Sequence, residues 1–317
     1  MMSTFVKRSC PNCNSNSHES AQLALMRCDK LLASNPGYDI AWFTHSSIPL
    51  NYEFTFVQCS KCDFVFSLEK LEESLNFEYY NYGIDHQKSL DKIFKKSKRQ
   101  HLIQLWSTLH ELENTSSETS SIKVLDFGAG WGDFLALAKG YGIDVYGLEY
   151  DKRKIAFAKI NEIACGDYDF VASHAPYDVF MCNQVLEHLD KPKKALEQLR
   201  GLLLSGSVGF IAVPCYTREK VEEEISRLKV GELPSKNFDP LGHLNYFDPV
   251  SFHNMVLSHG FAKIDMNPNV KSPQPQNIKT RIKSIIKKMI LRSFAQSSHA
   301  SLIDDRPSTT SLFVRAI

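Results

Sequence analysis

Four short apolar runs stand out between residues 124 and 213: VLDF (Val124 to Phe127), IDVYGL (Ile143 to Leu148), YDVFM (Tyr177 to Met181) and SVGFIAV (Ser207 to Val213). They are rich in β-branched residues and do not alternate strictly with polar ones, the composition of strands buried on both faces of a parallel sheet. Between them the apolar positions recur at helical spacing. Phe134 to Lys139 reads as one helix, and VLEHLDKPKKALEQLRGLL as another, with Val185, Leu186, Leu189, Ala195, Leu196, Leu199 and Leu202 on its apolar face. Strand and helix in alternation predict an α/β fold.

Upstream, Leu90, Ile93, Leu102, Leu105, Leu109 and Leu112 are spaced for a connecting helix over Gln87 to Leu112, and the polar stretch ENTSSETSS (Glu113 to Ser121) reads as a linker. The expected organisation is a small unit over 1–75, a tyrosine-rich segment with connecting helix and linker over 76–120, and an α/β domain over 121–317 with an insertion at 271–309. From Met266 to Ile303 there is no acidic residue, and Ile282, Ile285, Ile286, Met289, Ile290 and Phe294 recur among lysines and arginines. A basic amphipathic helix is expected there. Its two readings are a surface helix docked by its apolar face and a peripheral membrane contact through 277–294.

Gly128, Gly130 and Gly132 follow the first strand where the chain must turn sharply and let a ligand touch backbone, and Glu149 stands at the end of the next strand. Open α/β sheets hold their ligands at these carboxyl ends. A dinucleotide loop, G-x-G-x-x-G, requires a third small residue where this chain has Asp133. Asp126 would repel a pyrophosphate but suits a ligand carrying a sulfonium and an ammonium group, which describes S-adenosylmethionine. Asp126, Gly128, Ala129, Gly130, Gly132, Glu149 and Tyr150 are the candidate cofactor contacts.

The order D-x-G-x-G-x-G followed by an acidic strand end resembles the first motif of the class I S-adenosylmethionine-dependent methyltransferases, and the downstream strands continue in that family's order. The resemblance implies a Rossmann-like seven-stranded sheet, with Ala262 to Met266 and Ser311 to Ile317 as its last two strands. It also implies that the glycine loop lies along the methionine part of the cofactor, that Glu149 accepts both ribose hydroxyls, and that Asp167, Asn183 and Gln184 are further contacts.

The chain of 317 residues with 43% hydrophobic composition has room for two domains. A net charge of +1 gives no preference of the whole molecule for nucleic acid or membrane. Without an 18-residue apolar run or a signal-peptide pattern, the expected location is the cytoplasm, where thiols stay reduced. Two C-x-x-C pairs, Cys10 with Cys13 and Cys59 with Cys62, then read as four thiolates around one structural zinc ion. The alternatives are disulfide pairing and a site that has lost its metal. Four sulfurs close the coordination shell, so this zinc is not a catalytic one.

The cysteine pairs, the segment FEYYNYG (Phe77 to Gly83) and the methyltransferase pattern together resemble bacterial methyltransferases with an N-terminal zinc-binding domain, including sugar C-methyltransferases and their shorter relatives. The resemblance implies a small-molecule or glycan acceptor in a sugar, polysaccharide or secondary-metabolite pathway. In it the tyrosine-rich segment covers the cofactor site, so that Tyr79, Tyr80 and Tyr82 face the acceptor or else pack a seam. His243, in FDPLGHLNYF, is the candidate base, on an ordinary imidazole pKa near about 6.5; His188, after Glu187, is the candidate beside it. The family's carbon-methylating members place tyrosine and glutamate just before this histidine, where this chain has Pro240 and Gly242. O-transfer is therefore at least as well supported as C-transfer. A non-catalytic S-adenosylmethionine-binding regulator and a nucleic-acid methyltransferase are the other readings. The second is disfavoured by the scattered bases of the cysteine unit and by CNQV where base-modifying enzymes carry Asn/Asp-Pro-Pro-Tyr/Phe.

Overall fold

The computed structural model describes residues 4–85, 122–140, 142–264 and 309–317. The expected connecting helix, the linker and the basic helix at 277–294 lie outside these residues. Among the described residues, no helix is long and apolar enough to cross a membrane.

The first part of the chain is built from short antiparallel strands: β1 (Phe5–Lys7), β2 (Ser20–Arg27), β3 (Glu53–Cys59), β4 (Val65–Ser67) and β5 (Glu69–Leu71). β1 pairs with β5, while β2, β3 and β4 form a second sheet. The second part supplies β6 (Lys123–Phe127), β7 (Asp144–Leu148), β8 (Cys165–Gly166), β9 (Tyr177–Asn183), β10 (Leu203–Pro214), β11 (Asn245–Tyr246), β12 (Phe261–Lys263) and β13 (Thr309–Ala316). Seven of these form one sheet in the order β12-β13-β10-β9-β6-β7-β8. β10, β9, β6, β7 and β8 run parallel, and β13 is antiparallel to both of its neighbours. This is the expected α/β methyltransferase sheet. β11 instead pairs with β4, so that residues far down the chain complete the N-terminal sheet.

Burial explains the apolar runs. Val124, Leu125, Val179, Phe180 and Ile211 are fully buried, as strands covered on both faces require. Aromatic packing joins the N-terminal sheet to the loops after β10. Phe56 stacks on Phe238 at 4.4 Å between ring centroids, and Phe64 meets Phe247 edge-on at 5.2 Å. The tyrosine-rich segment forms a helix, Glu73–Glu78, followed by a π-turn at Tyr79–Gly83.

The long helix expected from VLEHLDKPKKALEQLRGLL is two elements. Leu186–His188 is a single 3-10 turn, and the α-helix begins only at Pro192 and runs to Gly201. Proline fits the first helical position, but it drives the residue before it out of the helical region, and Lys191 has φ −125° and ψ 71°. Glu187 and His188 thus sit on a turn at the end of β9 rather than on a helix face.

Candidate active site

The sheet changes direction of winding between β6 and β9, and the loops after these two strands form the donor edge. Asp126 is buried near the end of β6. Gly128, Gly130 and Gly132 follow with φ of 91°, 56° and 74°, values that side chains rarely tolerate. A Cβ on Gly128 would come within 2.4 Å of Val185 Cγ2, which ties the loop to the turn carrying Glu187 and His188. A Cβ at Gly130 would meet nothing within 4 Å among the described residues, so there is space on that side of the backbone. The amides of Gly128 and Ala129 donate to the Leu148 carbonyl at 3.0 and 2.8 Å, fixing the loop to the end of β7.

Glu149 follows β7 directly. Its Oε1 accepts from the backbone amides of Tyr150 and Asp151 at 2.8 and 3.0 Å, and Lys154 Nζ stands 3.7 Å from Oε2. Asn183 ends β9, and Gln184 turns away with φ 58°. The structure therefore gathers Asp126, Gly128, Ala129, Gly130, Gly132, Glu149, Asn183 and Gln184 on one edge. Tyr150 sits there with an exposed ring. Asp167 follows β8, and its carboxylate caps the next helix by accepting from the Phe170 amide at 3.1 Å. Burial, with Asp133 and Glu149 nearby, pushes the Asp126 carboxyl up to about 8, so the edge favours a cation.

Beside this edge is a cavity of about 210 Å³, lined among others by Tyr38, Tyr79, Tyr80, His188, Asp239 and His243. Both parts of the chain build it. Asp239 is buried; its Oδ1 accepts from the amides of Leu241 and Gly242 at 3.0 and 2.9 Å. Its Oδ2 accepts from the Tyr38 hydroxyl and, at 3.2 Å, from Asn35 Nδ2. A Cβ on Gly242 would come within 2.8 Å of Asp239 Oδ2, so glycine is what lets this loop close on the carboxylate. Tyr79 is wholly buried, with its hydroxyl donating to that of Tyr38 at 3.4 Å. Tyr80 also lines the cavity, and burial together with Asp239, Glu149 and Glu187 raises its phenol. Tyr82 takes no part: its ring is exposed, with the Arg153 guanidinium 5.5 Å from its centroid.

The two histidines meet at the cavity wall, their rings 4.6 Å apart and edge-on. His188 Nδ1 pairs with the Gly242 carbonyl at 2.6 Å, while Nε2 faces Glu187 Oε1 at 3.7 Å. Glu187 is fully buried, and among the described residues neither of its oxygens accepts a hydrogen bond and His243 Nδ1 has no partner. Burial dominates the titration of all three. It pushes the Glu187 carboxyl up to about 8 and the His243 imidazole down to about 4. His188 falls to about 3, with His243 adding to the burial effect. The ordinary imidazole pKa assumed for His243 does not hold in this setting, and both rings are neutral at pH 7.

Arg8, almost completely buried, holds this wall together. Its guanidinium donates to Asp190 Oδ1 at 2.9 Å, the Leu244 carbonyl at 2.9 Å and Asn245 Oδ1 at 2.9 Å. Asn245 Nδ2 in turn donates to the carbonyls of Leu186 and Leu189. One side chain, directly after β1, thereby positions both histidine-bearing segments. Sequence reading assigns no role at this wall to Arg8, counted only among scattered bases, or to Tyr38, Asn35 and Asp239, and it notes Glu187 as the partner of His188 in a Glu-His pair near the cofactor.

The four cysteines predicted as metal ligands come together, with their Sγ atoms all within 4.8 Å of one another. Cys10 Sγ lies 3.6 Å from Cys62 Sγ, and Cys13 Sγ lies 3.5 Å from Cys59 Sγ. A tetrahedral zinc with Zn–S of about 2.3 Å needs sulfurs roughly 3.8 Å apart, so the donor set fits. All are free thiols rather than disulfides. Each pair sits on a similar turn, closed by Asn14 N to Cys10 O and Asp63 N to Cys59 O, with Asn14 and Asp63 at φ of 61° and 57°.

A family model described as methyltransferase domain matches residues 77–265, more than half of the chain. The chain belongs to this methyltransferase family. Among curated proteins, the ubiquinone biosynthesis O-methyltransferase of Paraburkholderia phytofirmans is 28% identical over 99 residues, which are 28% of this chain and 43% of that protein. That of Leptothrix cholodnii is 25% identical over 115 residues, 33% of this chain and 49% of that protein. The chain thus spans about half the length of the curated relatives it matches. Solved structures similar to it include the magnesium protoporphyrin IX methyltransferase of Synechocystis PCC 6803 with bound SAH (TM-score 0.47, 12% identity, 78% of this chain and 100% of that one). Another is the plantazolicin methyltransferase BpumL with a triazolic desmethylPZN analog and SAH (TM-score 0.46, 15% identity, 73% and 90%).

Proposed function

We propose that this methyltransferase moves the methyl group of S-adenosylmethionine to a hydroxyl of a small-molecule or glycan acceptor held in the cavity. The observation that carries this reading is the junction at Val185: the glycine loop touches the turn that carries Glu187 and brings His188 to the cavity. Asp126 and Glu149 supply the negative charge that a sulfonium and ribose hydroxyls call for, and the loop backbone offers close approach. Asn35, Lys236, Asn237 and Asp239 give the cavity a polar lining suited to a hydroxyl-rich molecule. The curated relatives are named as O-methyltransferases, which favours oxygen over carbon as the acceptor atom.

In-line displacement needs donor and acceptor aligned, and orientation alone supplies several kcal/mol. His243 faces the acceptor with a neutral imidazole, yet a pKa of about 4 makes it a weak proton acceptor by itself. The cysteine cluster would hold one structural zinc, joining the ends of the unit over 1–75 that forms part of the cavity wall.

Incubation of the chain with methyl-labelled S-adenosylmethionine and a panel of sugars, sugar nucleotides and polyols tests this. Label in an acid-stable ether product, lost in His243→Ala, is the expected result. Cofactor binding with no transfer to any acceptor would support the regulator reading instead.

A further inference from the structure

Glu187, His188 and His243 converge at the cavity wall in a way a proton-transfer pair does not need. One donor atom from each lies within 4.8 Å of the other two. His188 gives its Nδ1 proton to the Gly242 carbonyl at 2.6 Å, so its Nε2 carries the lone pair that faces Glu187. The His243 ring is hydrogen-bonded to the Asn237 backbone, an interaction that favours its protonated form, which leaves the unpartnered Nδ1 as its lone pair. Glu187 brings two oxygens, wholly buried and without a hydrogen-bond partner among the described residues. Buried polar atoms are nearly always satisfied, and an exception calls for an explanation. A cation that accepts several lone pairs at once would satisfy all of these atoms together.

We propose that Glu187, His188 and His243 bind a divalent transition-metal ion, separate from the cysteine cluster. Two imidazoles and one carboxylate suit zinc, cobalt, iron or manganese rather than calcium or magnesium, which take oxygen ligands. The backbone contact that fixes the His188 tautomer is the outer-sphere support metal-bound histidines commonly have. Asn245, held by Arg8, anchors the carbonyls on either side of the Glu187–His188 turn, so the ligand set is braced on two sides. Because His188 and His243 line the cavity, an ion held by them would lie beside the acceptor.

The use of the ion in catalysis rests on the reading of methyl transfer above; its binding does not. An acceptor hydroxyl bound to it would lose its proton to solvent more readily. The oxygen then forms a bond to the methyl carbon as the carbon–sulfur bond breaks, and the electron pair stays on sulfur to give neutral S-adenosylhomocysteine. The ion would thus do what a histidine of such low basicity does poorly.

Elemental analysis and cobalt titration of the full chain test the site. Zinc-replete protein dialysed against Co²⁺ should take up one further equivalent per chain, with weak visible bands and without the intense near-ultraviolet thiolate-to-cobalt absorption of a cysteine site. Glu187→Gln and His188→Ala should each weaken that second equivalent at least tenfold, while His253→Ala leaves it unchanged. S-adenosylmethionine calorimetry on the same samples shows that each variant is folded. A second equivalent that is absent from the parent chain, or that survives both Glu187→Gln and His188→Ala, would overturn the proposal.

Discussion

The donor edge and the acceptor cavity lie side by side but are made in different ways. Every candidate donor contact comes from residues 126 to 184, each at the carboxyl end of one of the parallel strands or on the loop that follows it. The cavity draws on Asn35, Tyr38 and Tyr80 from one end of the chain and on His188, Asp239 and His243 from the other. Its central carboxylate is bonded to a tyrosine 201 positions away. The donor edge is therefore set by local backbone geometry, whereas the cavity exists only when the N-terminal sheet, completed by β11, is docked. The division teaches that donor binding and acceptor handling can be broken separately.

The largest separation is expected at His243. His243→Ala should lower turnover by about 10²- to 10⁴-fold while S-adenosylmethionine affinity stays within twofold, measured by labelled transfer and calorimetry. Next comes Arg8, whose buried guanidinium serves Asp190, Leu244 and Asn245. Arg8→Met leaves Asn245 Oδ1 without its donor and removes one donor each from Asp190 and from the Leu244 carbonyl, which keeps the Ser67 amide at 3.0 Å, and it should cost about 3 to 5 kcal/mol of stability in denaturant unfolding. Lys70, 2.6 Å from Asp190, retains one partner for that carboxylate, which favours the lower end.

At the donor edge the test is pH. The Asp126 carboxyl sits at about 8 in the folded chain, against an ordinary 3.8, so it is protonated at neutral pH until a cation arrives. The burial penalty is absent below about pH 4 and grows as pH rises towards 8, so this group lowers stability with rising pH over that window. A cationic ligand pulls the pKa down. Affinity for S-adenosylmethionine should therefore rise with pH, by at most about tenfold per unit, and level off above 8. Asp126→Asn should flatten that profile in calorimetry between pH 6 and 9. The smallest effect is expected for Tyr38→Phe, which removes one donor from Asp239. About 1 kcal/mol should be lost, read as a roughly fivefold rise in acceptor KM with the cofactor KM unchanged.

This difference in construction also decides what could be read in the sequence. The glycine loop, Asp126 and Glu149 follow one another along the chain, and their backbone needs appear directly as residue types. The cysteine pairs were legible because spacing within each pair encodes the turn, although the left-handed Asn14 and Asp63 that complete the two turns went unused as signals. The break before Pro192 was visible in the sequence but outweighed by the helical period around it, and that break puts Glu187 and His188 on the cavity wall. Nothing near Asn35, Tyr38 or Arg8 announces a role, because each acts on residues roughly 180 or more positions away. A carboxylate near His243 comes from Glu187, 56 positions earlier, which only tertiary packing brings within 4.8 Å of it.

The most direct test of the account is calorimetric titration of S-adenosylmethionine into the full chain and into Glu149→Ala and His243→Ala. One site per chain, weakened at least tenfold by Glu149→Ala and untouched by His243→Ala, is the predicted result. Failure of the parent chain to bind, or binding indifferent to Glu149, would contradict it.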